Sequence, residues 1–112
     1  LLLSRNGVEE EMIDYYDRQG NRISMQEWAK KFNDRIYQRV TETTLSDGKW
    51  VSTIWLGLNH QWRDGPPLIF ETMVFPSKGN STDLDCDRYS SEEEALAGHK
   101  AMVEKWQKEP NP

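Results

Sequence analysis

The sequence predicts an α+β domain: a curved antiparallel sheet of about four to six strands with two amphipathic helices packed on one face. Three observations predict it. Two segments carry complete helix-start signals followed by apolar residues at helical spacing. Several short β-rich runs are joined by connections compatible with antiparallel neighbours. No strand–helix–strand rhythm recurs that would build a parallel sheet. The chain has 112 residues, the size of one domain, and its 11% aromatic content supplies the rings that disordered chains lack.

Residues 1–11 are expected to be a flexible N-terminal extension or appended sequence. Leu1-Leu2-Leu3 is too short for a signal-peptide core of about 7–15 apolar residues, and Glu9-Glu10-Glu11 is a solvated charge run. Met12 directly precedes the first strand-like segment and reads as a native start; the alternative is that Leu1–Leu3 packs as a short strand or helix end. The single domain then spans residues 12–108, with 109–112 frayed beyond it.

From Ile13 to Ile23 the chain reads as a short hairpin. Asp17 can accept a hydrogen bond from the backbone two residues on, and Gly20 can close the turn in a left-handed conformation. Ser24 then starts a helix: Glu27 completes a capping box, Ile23 can staple onto Trp28, and Met25, Trp28, Ala29 and Phe32 share one face. Such a stripe is core rather than a cofactor box. Asn33-Asp34 ends this helix.

Arg35 to Leu45 and Trp50 to Leu58 read as the clearest hairpin, joined at Asp47-Gly48 by a two-residue type I′ loop. That register sets Leu45 against Trp50, Thr41 against Ile54 and Tyr37 against Leu58. Trp50, Ile54, Leu56 and Leu58 would then face the core with Tyr37 and Leu45, and Trp55 would lie on the wetter face beside Val40 and Val51. A tryptophan there is either covered by this same chain or marks a homodimer or partner surface.

Leu68 to Phe75 is nearly continuously apolar, interrupted by Glu71 and Thr72, as in a central strand with both faces partly covered. In Leu84 to Tyr89, Asp83, Asp85 and Asp87 alternate with Leu84 and Cys86, which predicts a strand with a solvated acidic face; the alternative is an acidic patch, continued by Glu92 to Glu94, that meets a basic partner or imitates a phosphate backbone. Ser90 or Ser91 caps the last helix, whose apolar face is expected to comprise Ala95, Leu96, His99, Met102, Val103 and Trp106. Gly98 in its interior suggests close packing on the sheet, and His99 reads as a hydrogen-bonded core histidine. Pro110 stops the helix.

Composition bounds the function. Nineteen acidic against 14 basic residues give a net charge of −5, which disfavours generic nucleic-acid binding. No apolar run reaches the roughly 18–20 residues of a membrane span. The single cysteine, Cys86, forms no internal disulfide and fits a cytoplasmic protein. His60 and His99 stand far apart with no paired-ligand spacing, so neither a metal site nor a cofactor is expected. The acidic residues of 83–87 lack the pattern of a calcium loop, and no nucleophile elbow or glycine-rich phosphate loop is present.

The richest chemistry lies in the connection 59–67. His60 can exchange a proton near neutral pH, Trp62 can stack on a planar group, and Arg63 can grip a carboxylate or phosphate. The plain reading is a stiff turn set by Gly65-Pro66-Pro67. Glu71, a carboxylate in an apolar strand, is a salt-bridged strand residue or, if near His60, an acid–base partner; Arg39 and Glu42 are its expected neighbours.

Several uncommon words occur in order: Tyr15 to Ser24, Trp50 to His60, Gly65 to Phe75, and Arg88 to His99. Together they make residues 12–103 resemble a family of small proteins of actinobacteria and their bacteriophages. The resemblance implies an origin and a cytoplasmic compartment in a bacterial host cell, but no activity. Members often carry Asp where this chain has Asn59, so a carboxylate role there does not carry over. The reading that follows is a bacteriophage-type accessory protein that binds a host or phage protein without catalysis. The alternative is a small-molecule or nucleotide-binding protein built on His60, Trp62, Arg63 and Glu71.

Overall fold

The computed structural model describes residues 2–5, 8–11, 13–59 and 64–107. Strands β1 (Leu2–Arg5) and β2 (Val8–Glu11) pair with each other as a separate two-stranded sheet, so the expected extension carries a hairpin of its own. Strands β3 (Tyr15–Tyr16) and β4 (Arg22–Ile23) form the next hairpin. Asp17 Oδ1 accepts from the N–H groups of Gln19 (3.0 Å) and Asn21 (2.8 Å), and Gly20 closes the turn at φ +88°. Helix α1 (Met25–Phe32) begins with the full capping box between Ser24 and Glu27.

The chain departs from expectation directly after α1. Arg35–Gln38 is a helical turn, α2, rather than the start of a strand. Asp34 caps it, accepting from Ile36 N–H at 3.0 Å and Tyr37 N–H at 3.2 Å. The Asn33-Asp34 pair that stops one helix thus starts another, because a short side-chain acceptor serves the free N–H groups of any following turn.

The main sheet is antiparallel, with β5 (Arg39–Thr44), β6 (Trp50–Trp55), β7 (Phe70–Phe75) and β8 (Asp85–Tyr89) in spatial order β5-β6-β7-β8. As the apolar run suggested, β7 is central. The β5–β6 register is one residue out of step with the expected one: Thr44, not Leu45, lies opposite Trp50, and Thr43 opposite Val51. Leu45 N–H donates to Lys49 O at 2.7 Å and Gly48 N–H to Leu45 O at 2.9 Å, so the loop is three residues long, with Gly48 at φ +95°. An Asp-Gly pair serves this bulged loop as readily as the two-residue one. A bulge between Arg39 and Thr41 shifts the ladder again.

On β6 the core face is therefore the opposite of the expected one, while Leu45 and Tyr37 lie in the core as expected. Val51, Thr53 and Trp55 are fully buried, together with Phe70, Thr72 and Val74 of β7. Trp55 sits against Tyr37 (5.0 Å, edge-on) and Phe32 (6.2 Å), and its Nε1–H donates to Tyr16 O at 3.0 Å. It is core, not a partner surface, and a homodimer through an exposed Trp55 is ruled out by its burial.

Helix α3 (Glu92–Trp106), capped by Ser91, packs on the same face through buried Ala95, His99 and Met102. Leu96 is instead 47% exposed, on the outer side of the helix. A Cβ on Gly98 would lie 2.2 Å from the Tyr89 ring, which is the close approach expected of this glycine. Asp85 is not a free acidic residue: its Oδ2 accepts from Trp106 Nε1–H (2.9 Å) and Lys105 Nζ (2.8 Å), tying the helix to the sheet edge. Both α1 and α3 thus cover one face, as predicted.

Candidate functional site

Strand alternation places everything not under the helices on the second face of the sheet. Trp50, Ser52 and Ile54 of β6 stand beside Glu71, Met73 and Phe75 of β7, flanked by Glu42 and Arg39 of β5 and by Cys86 and Arg88 of β8. Among the described elements outside the sheet, the β3–β4 hairpin and the helices pack on the Trp55 face through Tyr16, Ile23, Trp28, Phe32, Tyr37 and the inner residues of α3. Trp50, Ile54, Met73 and Phe75 are half-buried by their own neighbours alone.

Trp50 stands at one end of this surface, opposite Thr44 and Phe75. Its ring lies 5.6 Å from Phe75, with the Arg39 guanidinium 5.0 Å and the Lys78 ammonium 5.5 Å from its centroid. Its Nε1–H donates to Glu42 Oε1 at 2.8 Å, and that bond is the main reason the Glu42 carboxyl titrates below its ordinary range. Arg39 also donates to the Ser52 hydroxyl beneath it. The indole is therefore pinned at its polar edge and flanked by cations, a stiff platform rather than a mobile ring.

Glu71 proves to be a buried carboxylate, 7% exposed, on this face. Its partner is Arg88, whose Nε–H donates to Oε2 at 3.0 Å, and not Arg39 or Glu42. Cys86 Sγ lies 3.6 Å from the same oxygen. Partial burial of the thiol and then the Glu71 charge push its pKa up to about 11, so it is a poor nucleophile at neutral pH.

His99 is on the other side of the sheet, buried under α3. Its Nε2 shares a hydrogen with Thr43 Oγ1 (2.8 Å) and its Nδ1 with Thr53 Oγ1 (2.7 Å). Thr53 in turn bonds the Thr72 hydroxyl, which reaches Tyr89. Both ring nitrogens are satisfied, and desolvation holds the imidazole pKa below its ordinary value. This is a structural histidine, as the sequence suggested.

His60, Trp62 and Arg63 lie outside the described residues. The ends of their loop are braced: Asn59 Oδ1 accepts from Leu68 N–H at 3.2 Å, and Asp64, Gly65 and Pro66 are exposed. Among the described residues no cluster of His, Cys, Asp and Glu can hold a metal ion, and no helix is long and apolar enough to cross a membrane.

Of the residues singled out from the sequence, the structure puts Glu71 on the uncovered face and removes Trp55 from it. Sequence reasoning missed Trp50, Met73, Phe75, Arg39 and Arg88. The signal was available in the alternation of Phe70, Thr72 and Val74 against Glu71, Met73 and Phe75, but a run apolar on both sides conceals which side is wet. No family model, curated protein or solved structure matches this chain.

Proposed function

We propose that the protein is a small, non-catalytic protein-binding module, a bacteriophage-type accessory protein acting in the cytoplasm of a bacterial host, and that it docks its partner on the uncovered sheet face around Trp50. The observation that carries this reading is a row of half-buried apolar side chains (Trp50, Ile54, Met73 and Phe75) rimmed by Arg39, Lys78 and Arg88, with no described element packed over it. Anchored Trp and Arg side chains are the types that dominate binding energy at protein interfaces. Lys78 pairs with Glu42 at 3.5 Å and Arg88 with Glu71 at 3.0 Å, so the rim carries charges of both signs and suits a host or phage protein that presents an apolar patch with a mixed polar surround.

The chemistry of the described groups supports binding over catalysis. Glu71 is neutralised by Arg88, the Cys86 thiol is held protonated, and His99 is enclosed in the core.

Affinity purification from an infected host with the wild-type chain and Met73→Glu in parallel tests the reading. A protein retained by the wild type and lost with the variant, whose fold the circular dichroism spectrum shows to be intact, is the expected result. An identical catch from both chains contradicts it. A small molecule retained in native mass analysis, and released by substituting His60 or Arg63, would instead support the loop as a ligand site.

A further inference from the structure

We infer that the β5 edge of the sheet pairs with β5 of a second copy of the chain, so that one continuous antiparallel sheet spans a two-fold dimer. The two edges of the sheet are not equivalent. On β8 the N–H of Cys86 donates to Asp85 Oδ1 and the N–H of Arg88 to Asp87 Oδ1, each at 2.9 Å. The outward donors of that edge are consumed by neighbouring carboxylates, of which Asp87 also charges it while Asp85 is paired with Lys105. Such an edge repels a further strand.

On β5 the described residues form no comparable block. The bond from Leu45 N–H to Lys49 O fixes the alternation of the ladder, so Thr41 and Thr43 bond β6 while Glu42 and Thr44 direct their backbone groups outward. No described side chain accepts from those two N–H groups, and β5 contains neither lysine nor proline. The bulge at Val40 confines pairing to the Thr41–Leu45 end. An edge left open in this way is a template for another strand.

The strand is also complementary to itself. With Thr43 on the two-fold axis, Glu42 of each copy faces Thr44 of the other, and the two pairs exchange about four backbone hydrogen bonds. No like charges meet, whereas an axis through Glu42 would oppose two carboxylates. Arg39, which makes no ion pair within 4 Å among the described residues and acts on Glu42 only at longer range, then points toward the 46–48 turn of the second copy, where the Asp47 side chain, paired with Lys49 of its own chain, is still 50% exposed. An open groove of about 690 Å³ beside β5, walled by Phe32, Ile36, Arg39 and Glu42, receives that turn. Ile36 in its wall is 88% exposed in the single chain.

The edge shares Arg39 and Glu42 with the rim of the Trp50 face, but its pairing is read from the Glu42 and Thr44 amides and the Trp50 face from Met73→Glu, so either proposal can fail alone. Sedimentation velocity and amide hydrogen exchange on the full chain, across micromolar to millimolar concentrations, test the dimer. The mass is expected to rise from 13.2 kDa toward twice that value. The Glu42 and Thr44 amides should exchange at least about tenfold more slowly at the high end, while those of Cys86 and Arg88 keep their rates. Thr44→Pro removes an outward donor without touching the β6 ladder and should stay monomeric; should it fail to fold, exchange in the wild type decides the question. A 13.2 kDa species at every concentration overturns the inference, as does a dimer in which Glu42 and Thr44 exchange independently of concentration.

Discussion

Trp50 and Trp55 bound the same strand and have opposite surroundings. Trp55 is fully buried with its indole N–H satisfied by Tyr16, whereas Trp50 lies half-buried on the uncovered face. Trp55→Ala should cost about 3–5 kcal/mol in urea unfolding and Trp50→Ala less than about 1.5; equal costs would contradict the assignment of faces. His99 makes the pH dependence of stability specific. Its imidazole is held neutral in the fold, so below about pH 6.5 the unfolded chain takes up a proton first and stability falls as pH drops toward the lower folded-state value. The wild type should lose stability between pH 7 and 5 relative to His99→Leu, which itself is less stable by about 1–3 kcal/mol at pH 7 for lack of partners for Thr43 and Thr53. A pH-independent difference between the two would remove desolvation as the cause. Cys86, although at the surface, should alkylate at pH 7.5 far more slowly than a free cysteine, and Glu71→Gln should accelerate it by taking away a repelling charge.

At the scale of elements, local chemistry was most legible where one residue has one job. The Ser24–Glu27 capping box, the Asp17–Gly20 turn and the Ser91 cap follow from side chains that reach only their own backbone. Gly98 also announced its role, since a helix keeps a costly glycine where another group needs the space. Gly98→Ala should destabilise the fold by about 1–3 kcal/mol in thermal unfolding, because the Tyr89 ring must move, despite a gain in helix propensity of up to about 1 kcal/mol. A more stable variant would show that the ring yields freely. Illegible elements were those with two physically adequate solutions. Asp34 can end a helix or begin one, and Asp47-Gly48 fits a loop of two residues or three. In the second case a single residue decides which side chains lie opposite each other.

For the whole molecule, the fold class and the shared face of the two long helices were predictable, because amphipathic helices must bury their stripes on some sheet face. Which face was not. Thr43, Thr53 and Thr72 look like surface residues in sequence, yet their hydroxyls bond one another, His99 or Tyr89 and so can sit under α3. Trp50, Ile54 and Phe75 look like core and are left on the side that no described element covers, where a partner is proposed to dock. That division of the sheet rests on the β5–β6 register. Nuclear Overhauser contacts between α-protons of facing residues read it directly, since non-hydrogen-bonded antiparallel pairs bring Cα atoms to about 4.5 Å. The structure predicts strong contacts between Thr44 and Trp50 and between Glu42 and Ser52. A strong contact between Leu45 and Trp50 in their place would contradict it.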